Sequence, residues 1–117
     1  MLGVSLVAAG QSQSGITGEI ADSEGAAIAN ARVLVHWDSA GSAVGLSDNI
    51  GIPHDVTVTT DSNGRYVAEV PAGFCDVFVS AMAFTPAAAK VRVKKDHRIT
   101  YNSTLRPDPL VLSELAD

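Results

Sequence analysis

The sequence has little cysteine, few aromatic rings and no long apolar run. Cys75 is the only cysteine, which excludes an internal disulfide framework and leaves the redox compartment open. Three Phe, two Tyr and one Trp make up the aromatic set. Val and Ile must therefore fill most of any core, and both are β-branched residues suited to a pleated surface. No uninterrupted apolar stretch approaches the roughly 20 residues that cross a bilayer as a helix. Basic residues are scarce over most of the chain. Residues 1–89 hold two basic and nine acidic side chains, a balance of −7, whereas residues 90–117 hold six basic and four acidic, a balance of +2. The net charge of −5 repels phosphate backbones and argues against nucleic acid as a partner.

What is present is one domain's worth of alternating sequence. A chain of 117 residues buries roughly two-thirds of its unfolded surface, so it needs neither metal nor disulfide to hold a core. No stretch repeats apolar residues at helical spacing. Period-two alternation, the mark of half-buried strands, recurs instead. It predicts seven strands, at Gly15–Ala21, Arg32–Asp38, Val56–Thr60, Arg65–Val70, Phe74–Ala81, Ala88–Lys94 and Ile99–Leu105. Ile16, Gly18 and Ile20 share one face, as do Val33, Val35 and Trp37. Further inward sets are Tyr66, Ala68 and Val70, then Cys75, Val77 and Val79, then Ala89, Val91 and Val93. Asp22-Ser23-Glu24-Gly25 and Asp61-Ser62-Asn63-Gly64 are turn clusters. The second sits between two short strands and reads as a hairpin turn. Seven short strands at regular spacing point to an all-β, seven-stranded Greek-key β-sandwich.

The ends differ from the middle. Leu2–Ala9 is a short apolar stretch, and Ala8-Ala9-Gly10 offers small residues of the kind found at a cleavage site. Residues 1–14 therefore read as a leader, a secretory-signal remnant, although a basic start is missing; a disordered or strand-forming lead-in is the alternative. This places the domain, residues 15–106, in a secreted or periplasmic, cell-envelope setting. Residues 107–117 form a proline-bearing extended tail.

Three segments together resemble the carboxypeptidase regulatory-like domain. The first is Gly18-Glu19-Ile20-Ala21-Asp22 with Gly25, Ile28, Ala31 and Val33. The second is Thr59-Thr60-Asp61-Ser62-Asn63-Gly64-Arg65-Tyr66. The third runs from Pro71-Ala72-Gly73-Phe74 to Ala81, with Phe84 beyond it. The resemblance implies a transthyretin-like (prealbumin-like) sandwich and a non-catalytic module that accompanies secreted peptidases, outer-membrane receptors or cell-surface proteins. Cys75 stands where that family commonly has Tyr, and Met82-Ala83 replaces a more usual Pro-Gly. A sister family of the same fold, the hydroxyisourate hydrolases, is enzymatic and uses histidines, an arginine and a Tyr-Arg-Gly-Ser motif. Here that motif does not occur, and Tyr101-Asn102-Ser103-Thr104 falls within a strand.

Few residues carry candidate chemistry. Asp61-Ser62-Asn63-Gly64 begins like a calcium loop, but the twelfth position, where such loops place Glu, is Ala72. His36, His54 and His97 fall on separate elements with no ligand spacing. Asp48, His54 and Asp55 share a long loop, about Ser39 to Asp55, and would be the set to converge on a polar ligand or metal. Cys75 alternates with Val77 and Val79 and reads as an inert core thiol. No nucleophile–base pair stands at a recognisable spacing, so no enzyme and no cofactor are implied. Lys90, Arg92, Lys94 and Lys95 form a basic stripe, which either protects a sheet edge or meets an acidic partner. Phe74 and Phe78 face outward, opposite Cys75, either as a candidate protein or glycan surface or as rings covered by the tail or by Leu34 of another strand. Asn102-Ser103-Thr104 fits the N-glycosylation acceptor pattern. The reading is a binding module for a protein or carbohydrate, with a purely structural module as the first alternative and a hydrolase as the second.

Overall fold

The structure, a computed structural model, describes residues 14–37 and 55–110. Eight strands follow in order: β1 Gly15–Asp22, β2 Arg32–Trp37, β3 Val56–Thr59, β4 Arg65–Glu69, β5 Gly73–Ser80, β6 Ala87–Val93, β7 Arg98–Thr100 and β8 Ser103–Leu105. They form two sheets. In the first, β4 pairs antiparallel with β1, which pairs in parallel with β7 and then with β8. The second runs β3-β2-β5-β6, all antiparallel. The chain crosses from sheet to sheet at β1–β2, β3–β4, β4–β5 and β6–β7, giving a Greek-key sandwich.

The core lies between the sheets and follows the alternation. Ile16 and Ile20 on β1, Val33, Val35 and Trp37 on β2, Tyr66 and Ala68 on β4, and Cys75, Val77 and Val79 on β5 all belong to one buried cluster. Val93 and Leu105 close it at the far strands. Each fully buried aliphatic side chain contributes about 1.5–3 kcal/mol relative to exposure. The layer is thus built from many β-branched contributions and one indole, whose Nε1–H donates to the Ala72 carbonyl at 3.3 Å.

Two sequence expectations need correction. The last strand is two strands, so the count is eight. Its register is nonetheless continuous: Thr17 faces Thr100 and Ile20 faces Ser103. The interruption falls where Gly18 has no side chain to fill its inward position. The Tyr101 carbonyl occupies that space, and a Cβ on Gly18 would lie 1.9 Å from its oxygen. The buried Tyr66 hydroxyl donates to the same oxygen at 2.6 Å, so a buried polar group is satisfied there. Burial pushes the Tyr66 phenol well above its ordinary range. The Glu19 N–H, left without a backbone partner on that side, donates to Asn102 Oδ1 at 2.8 Å.

β3 and β4 also depart from the expected pairing. The Asp61–Gly64 turn forms as expected. Gly64 N–H donates to the Asp61 carbonyl at 2.9 Å, and Gly64 takes φ 75°. The flanking strands are not a hairpin, because β3 pairs with β2 and β4 with β1. The turn is a corner between sheets. Thr60 pins it: its buried hydroxyl donates to the Ile28 carbonyl at 2.6 Å and accepts from Ala31 N–H at 2.9 Å. On the other side, Ile20 N–H donates to the Gly64 carbonyl at 2.7 Å. Both flanks are thereby committed to different sheets.

Two tests follow from this geometry. Gly18→Ala must displace the Tyr101 backbone, and we expect a loss of about 1–3 kcal/mol or more, as for other overpacked sites, read by urea unfolding. The second concerns Asp61. Its carboxylate accepts backbone N–H bonds from Arg65 at 3.0 Å and Asn63 at 2.8 Å, which hold its pKa below the ordinary carboxylate value. A depressed pKa gives a contribution that is complete above the unfolded pKa, about 3.9, and lost as pH falls through the lower folded value. Unfolding free energy should therefore drop as pH falls below about 4, and Asp61→Asn should flatten that part of the acid limb.

Candidate functional site

Because the inner face of the β3-β2-β5-β6 sheet is committed to the core, its outer face is assembled from the alternate residues. Register places them in rows. Leu34 on β2 lies between Thr57 and Phe78, and Phe78 lies beside Ala88 on β6. One step along, His36 faces Asp76, which faces Lys90. A further step pairs Phe74 with Arg92. The two Phe residues stand four positions apart on β5, about 13 Å along an extended strand, with the charged row between them.

Each row has internal contacts. His36 Nδ1 lies 2.7 Å from Asp55 Oδ1. Lys90 Nζ lies 3.0 Å from Asp76 Oδ1. Both pairs are well exposed, so each contributes at most about 1 kcal/mol, and they order the surface more than they stabilise it. The Arg92 guanidinium sits 5.7 Å from the Phe74 ring centroid, within reach of a cation–π attraction. Phe74 remains 38% exposed and Phe78 43%. Two half-exposed aromatic side chains on one sheet face are more than the burial of the core requires.

The expected site residues are partly brought together. Phe74, Phe78, Lys90 and Arg92 share this face. Asp55, at the foot of β3, joins it through His36. Lys94 lies just past the end of β6. With Lys95, Arg92, Val93, Ala72, Gly73 and Phe74 it lines a cleft of about 420 Å³. Asp48 and His54 lie outside the described residues. His97 is in the turn before β7, where its Nδ1 lies 2.7 Å from the Lys95 carbonyl, far in sequence and sheet from His36. Among the described residues no group of three His, Cys, Asp or Glu is placed to hold a metal ion. Cys75 is fully buried. The Asp61-Ser62-Asn63-Gly64 segment is spent on its own turn.

Leu34, His36 and Asp76 also belong to the site, although the sequence offers Leu34 only as a cover for the rings and His36 only as an isolated histidine. Period-two patterning does put Leu34 and His36 on the outward side of β2. What it lacks is the knowledge that β2 and β5 are neighbours, since 35 residues or more separate the partners. A second cleft, of about 550 Å³, opens on the outer face of the other sheet beside Thr17, Glu19, Arg65, Thr100 and Asn102. Arg65 Nε donates to Glu19 there at 3.0 Å, and among the described residues no histidine lines it.

A family model for the carboxypeptidase regulatory-like domain matches residues 15–106, the span of all eight strands. The chain belongs to that family. No curated protein sequence matches it. Solved structures of similar fold include catechol 1,2-dioxygenase from Pseudomonas arvilla C-1, at 11% identity and TM-score 0.61 over 86% of this chain and 55% of that one. The 3-chlorocatechol 1,2-dioxygenase from Rhodococcus opacus 1CP is similar at 14% identity and TM-score 0.57, over 84% of this chain and 61% of the enzyme. The chain thus spans little more than half of either dioxygenase. Klebsiella pneumoniae 5-hydroxyisourate hydrolase matches at 14% identity and TM-score 0.55, over 81% of this chain and 92% of the hydrolase. At these identities the likeness is one of fold, here transthyretin-like, and function must be argued from the site.

In this carboxypeptidase regulatory-like domain the outward residues of β5 should be dispensable for stability. Phe78→Ser is expected to change the unfolding free energy by less than about 1 kcal/mol, as at other surface positions. Val77→Ala, one residue away, should cost about 2–3 kcal/mol in lost transfer energy and cavity formation. Denaturant titration of both variants checks the contrast.

Proposed function

We propose that this domain is a non-catalytic binding module that works outside the cytoplasm and docks a protein partner through the outer face of the β3-β2-β5-β6 sheet. The observation that carries the proposal is the pair of half-exposed rings, Phe74 and Phe78, on either side of the Asp76–Lys90 ion pair, with Arg92 stacked on the first ring. Aromatic residues and Arg are enriched in protein interfaces and dominate their binding energy. Alternating apolar and charged rows give a surface that buries rings and orients a partner at once. The extracytoplasmic part rests on the Leu2–Ala9 stretch and the small residues after it. A glycan stacked on the rings is the second reading, since an exposed Phe face also suits a sugar ring.

The test is a quantitative pull-down from the source organism's envelope fraction. Bait variants are the parent chain, the Phe74→Ala/Phe78→Ala double variant and Val67→Ala, which alters an exposed residue of the opposite sheet. A defined partner held by the parent and by Val67→Ala, and lost from the double variant, is the expected result. An identical captured set for all three overturns the protein reading. Glycan-array binding that the double variant abolishes would move the assignment to carbohydrate. Turnover of 5-hydroxyisourate by the purified chain would overturn the non-catalytic reading.

A further inference from the structure

We infer that the outer edge of β6 accepts an extended acidic strand from a partner protein. This goes beyond the aromatic face, with which it shares Phe74 but not Phe78. Among the described residues β6 pairs only with β5, so one row of its backbone groups points away from the sheet. It is also the longest edge strand. β6 has seven residues, against four in β3, five in β4 and three each in β7 and β8. Its first half is Ala87-Ala88-Ala89, with no bulky side chain to obstruct an incoming backbone. Strand addition at such an edge draws its affinity from main-chain hydrogen bonds and its selectivity from side chains at alternate positions.

The side chains name the partner. On the outer face β6 carries Lys90 and Arg92, and Lys94 and Lys95 continue the charge beyond its end. Lys90 is held by Asp76. Among the described residues no carboxylate pairs with Arg92, Lys94 or Lys95. These cations border the cleft of about 420 Å³ floored by Phe74, Ala72 and Gly73. Stacking on Phe74 holds the Arg92 guanidinium at 5.7 Å from the ring centroid. A guanidinium fixed in this way loses less freedom when it meets a carboxylate. The rest of the chain is acidic, with nine acids against two bases in residues 1–89, which concentrates attraction for a negative partner at this edge. The inner positions, Ala89 and Val91, are small, apolar and half-buried. The matching strand therefore alternates acidic with small apolar residues.

Lysines on an edge strand are often explained as guards against aggregation. Here the two explanations are one. A second copy of β6 paired antiparallel across Lys90 brings two lysines together, and the like charges oppose it. The same charges favour an acidic strand. The edge discriminates by repelling its own kind.

The probe is a terminally blocked Glu-Val-Glu-Val-Glu-Val-Glu peptide, with a Lys-for-Glu version as control, followed by fluorescence anisotropy at low salt. We expect the Glu peptide to bind, the Lys peptide not to bind, and affinity to fall as salt screens the charges. Arg92→Glu/Lys94→Glu should weaken binding by about tenfold or more, as for charges at other interfaces. Two isomers of the peptide, N-methylated on one or the other alternate set of amides, separate strand addition from plain charge attraction. One should lose binding and the other keep it, since only one set faces β6. Phe78→Ala should leave the affinity unchanged, so failure here and failure of the aromatic face are separate results. Absence of Glu-peptide binding, equal binding of both N-methylated isomers, or dimerisation of the chain that Arg92→Glu/Lys94→Glu abolishes would each overturn the inference.

Discussion

Strict alternation along β5 is the constraint on which the rest of the molecule depends. Cys75, Val77 and Val79 have no accessible surface and fill the centre of the layer shared by the two sheets. Side chains on a strand alternate sides, so a slip of one residue would drive Phe74, Asp76 and Phe78 inward together. Burying an ionised Asp76 would cost several kcal/mol without a partner of its own in the core. The inner triplet therefore compels the outer one. Two exposed rings and an ion pair on the outside are a consequence of how the core is filled. Lys90 and Arg92 arrive beside them because β6 is paired with β5 residue by residue.

The opposite sheet solves a different problem, that of closing the sandwich around a small core with one tryptophan. Gly18 leaves a space at the inner side of β1. The Tyr101 carbonyl fills it and takes the Tyr66 hydroxyl as donor. Asn102 then replaces the lost backbone partner of Glu19. At the corner between sheets, Thr60 bonds to Ile28 and Ala31 in the β1–β2 connection and Gly64 bonds to Ile20 on β1, which commits β3 and β4 to different layers. Both devices consume their polar groups internally. This is why the Tyr101–Thr104 segment and the Asp61 turn have structural roles, and why the chemistry left over for a partner gathers on the other sheet and its edge.

Much of this was legible in the sequence, and what was not has physical causes. Strand faces follow from period two, and the inward sets on β1, β2, β4 and β5 stand as expected. Strand neighbours do not follow from it. Asp61-Ser62-Asn63-Gly64 satisfies its own backbone in the same way whether the chain doubles back or crosses between sheets, so local turn chemistry suggested a hairpin that long-range bonds forbid. The break between β7 and β8 depends on a glycine more than 80 residues away. The site shows the same division. Phe74, Phe78, Lys90 and Arg92 stood out as outward residues on their own strands. Leu34, His36 and Asp76 joined them only through pairing, and Asp55 entered by a contact with His36 that no spacing rule anticipates.

Cysteine accessibility tests the placement of β5 directly. The native chain should leave Cys75 unmodified by a thiol reagent under conditions that label it fully in denaturant. In a Cys75→Ala background, Phe74→Cys and Phe78→Cys should each be labelled rapidly in the folded state, since both positions face solvent. Rapid modification of Cys75 in the native chain, together with protection of a cysteine at position 74 or 78, would mean that the strand presents the opposite face. Neither the sandwich core nor the outer binding surface would then stand.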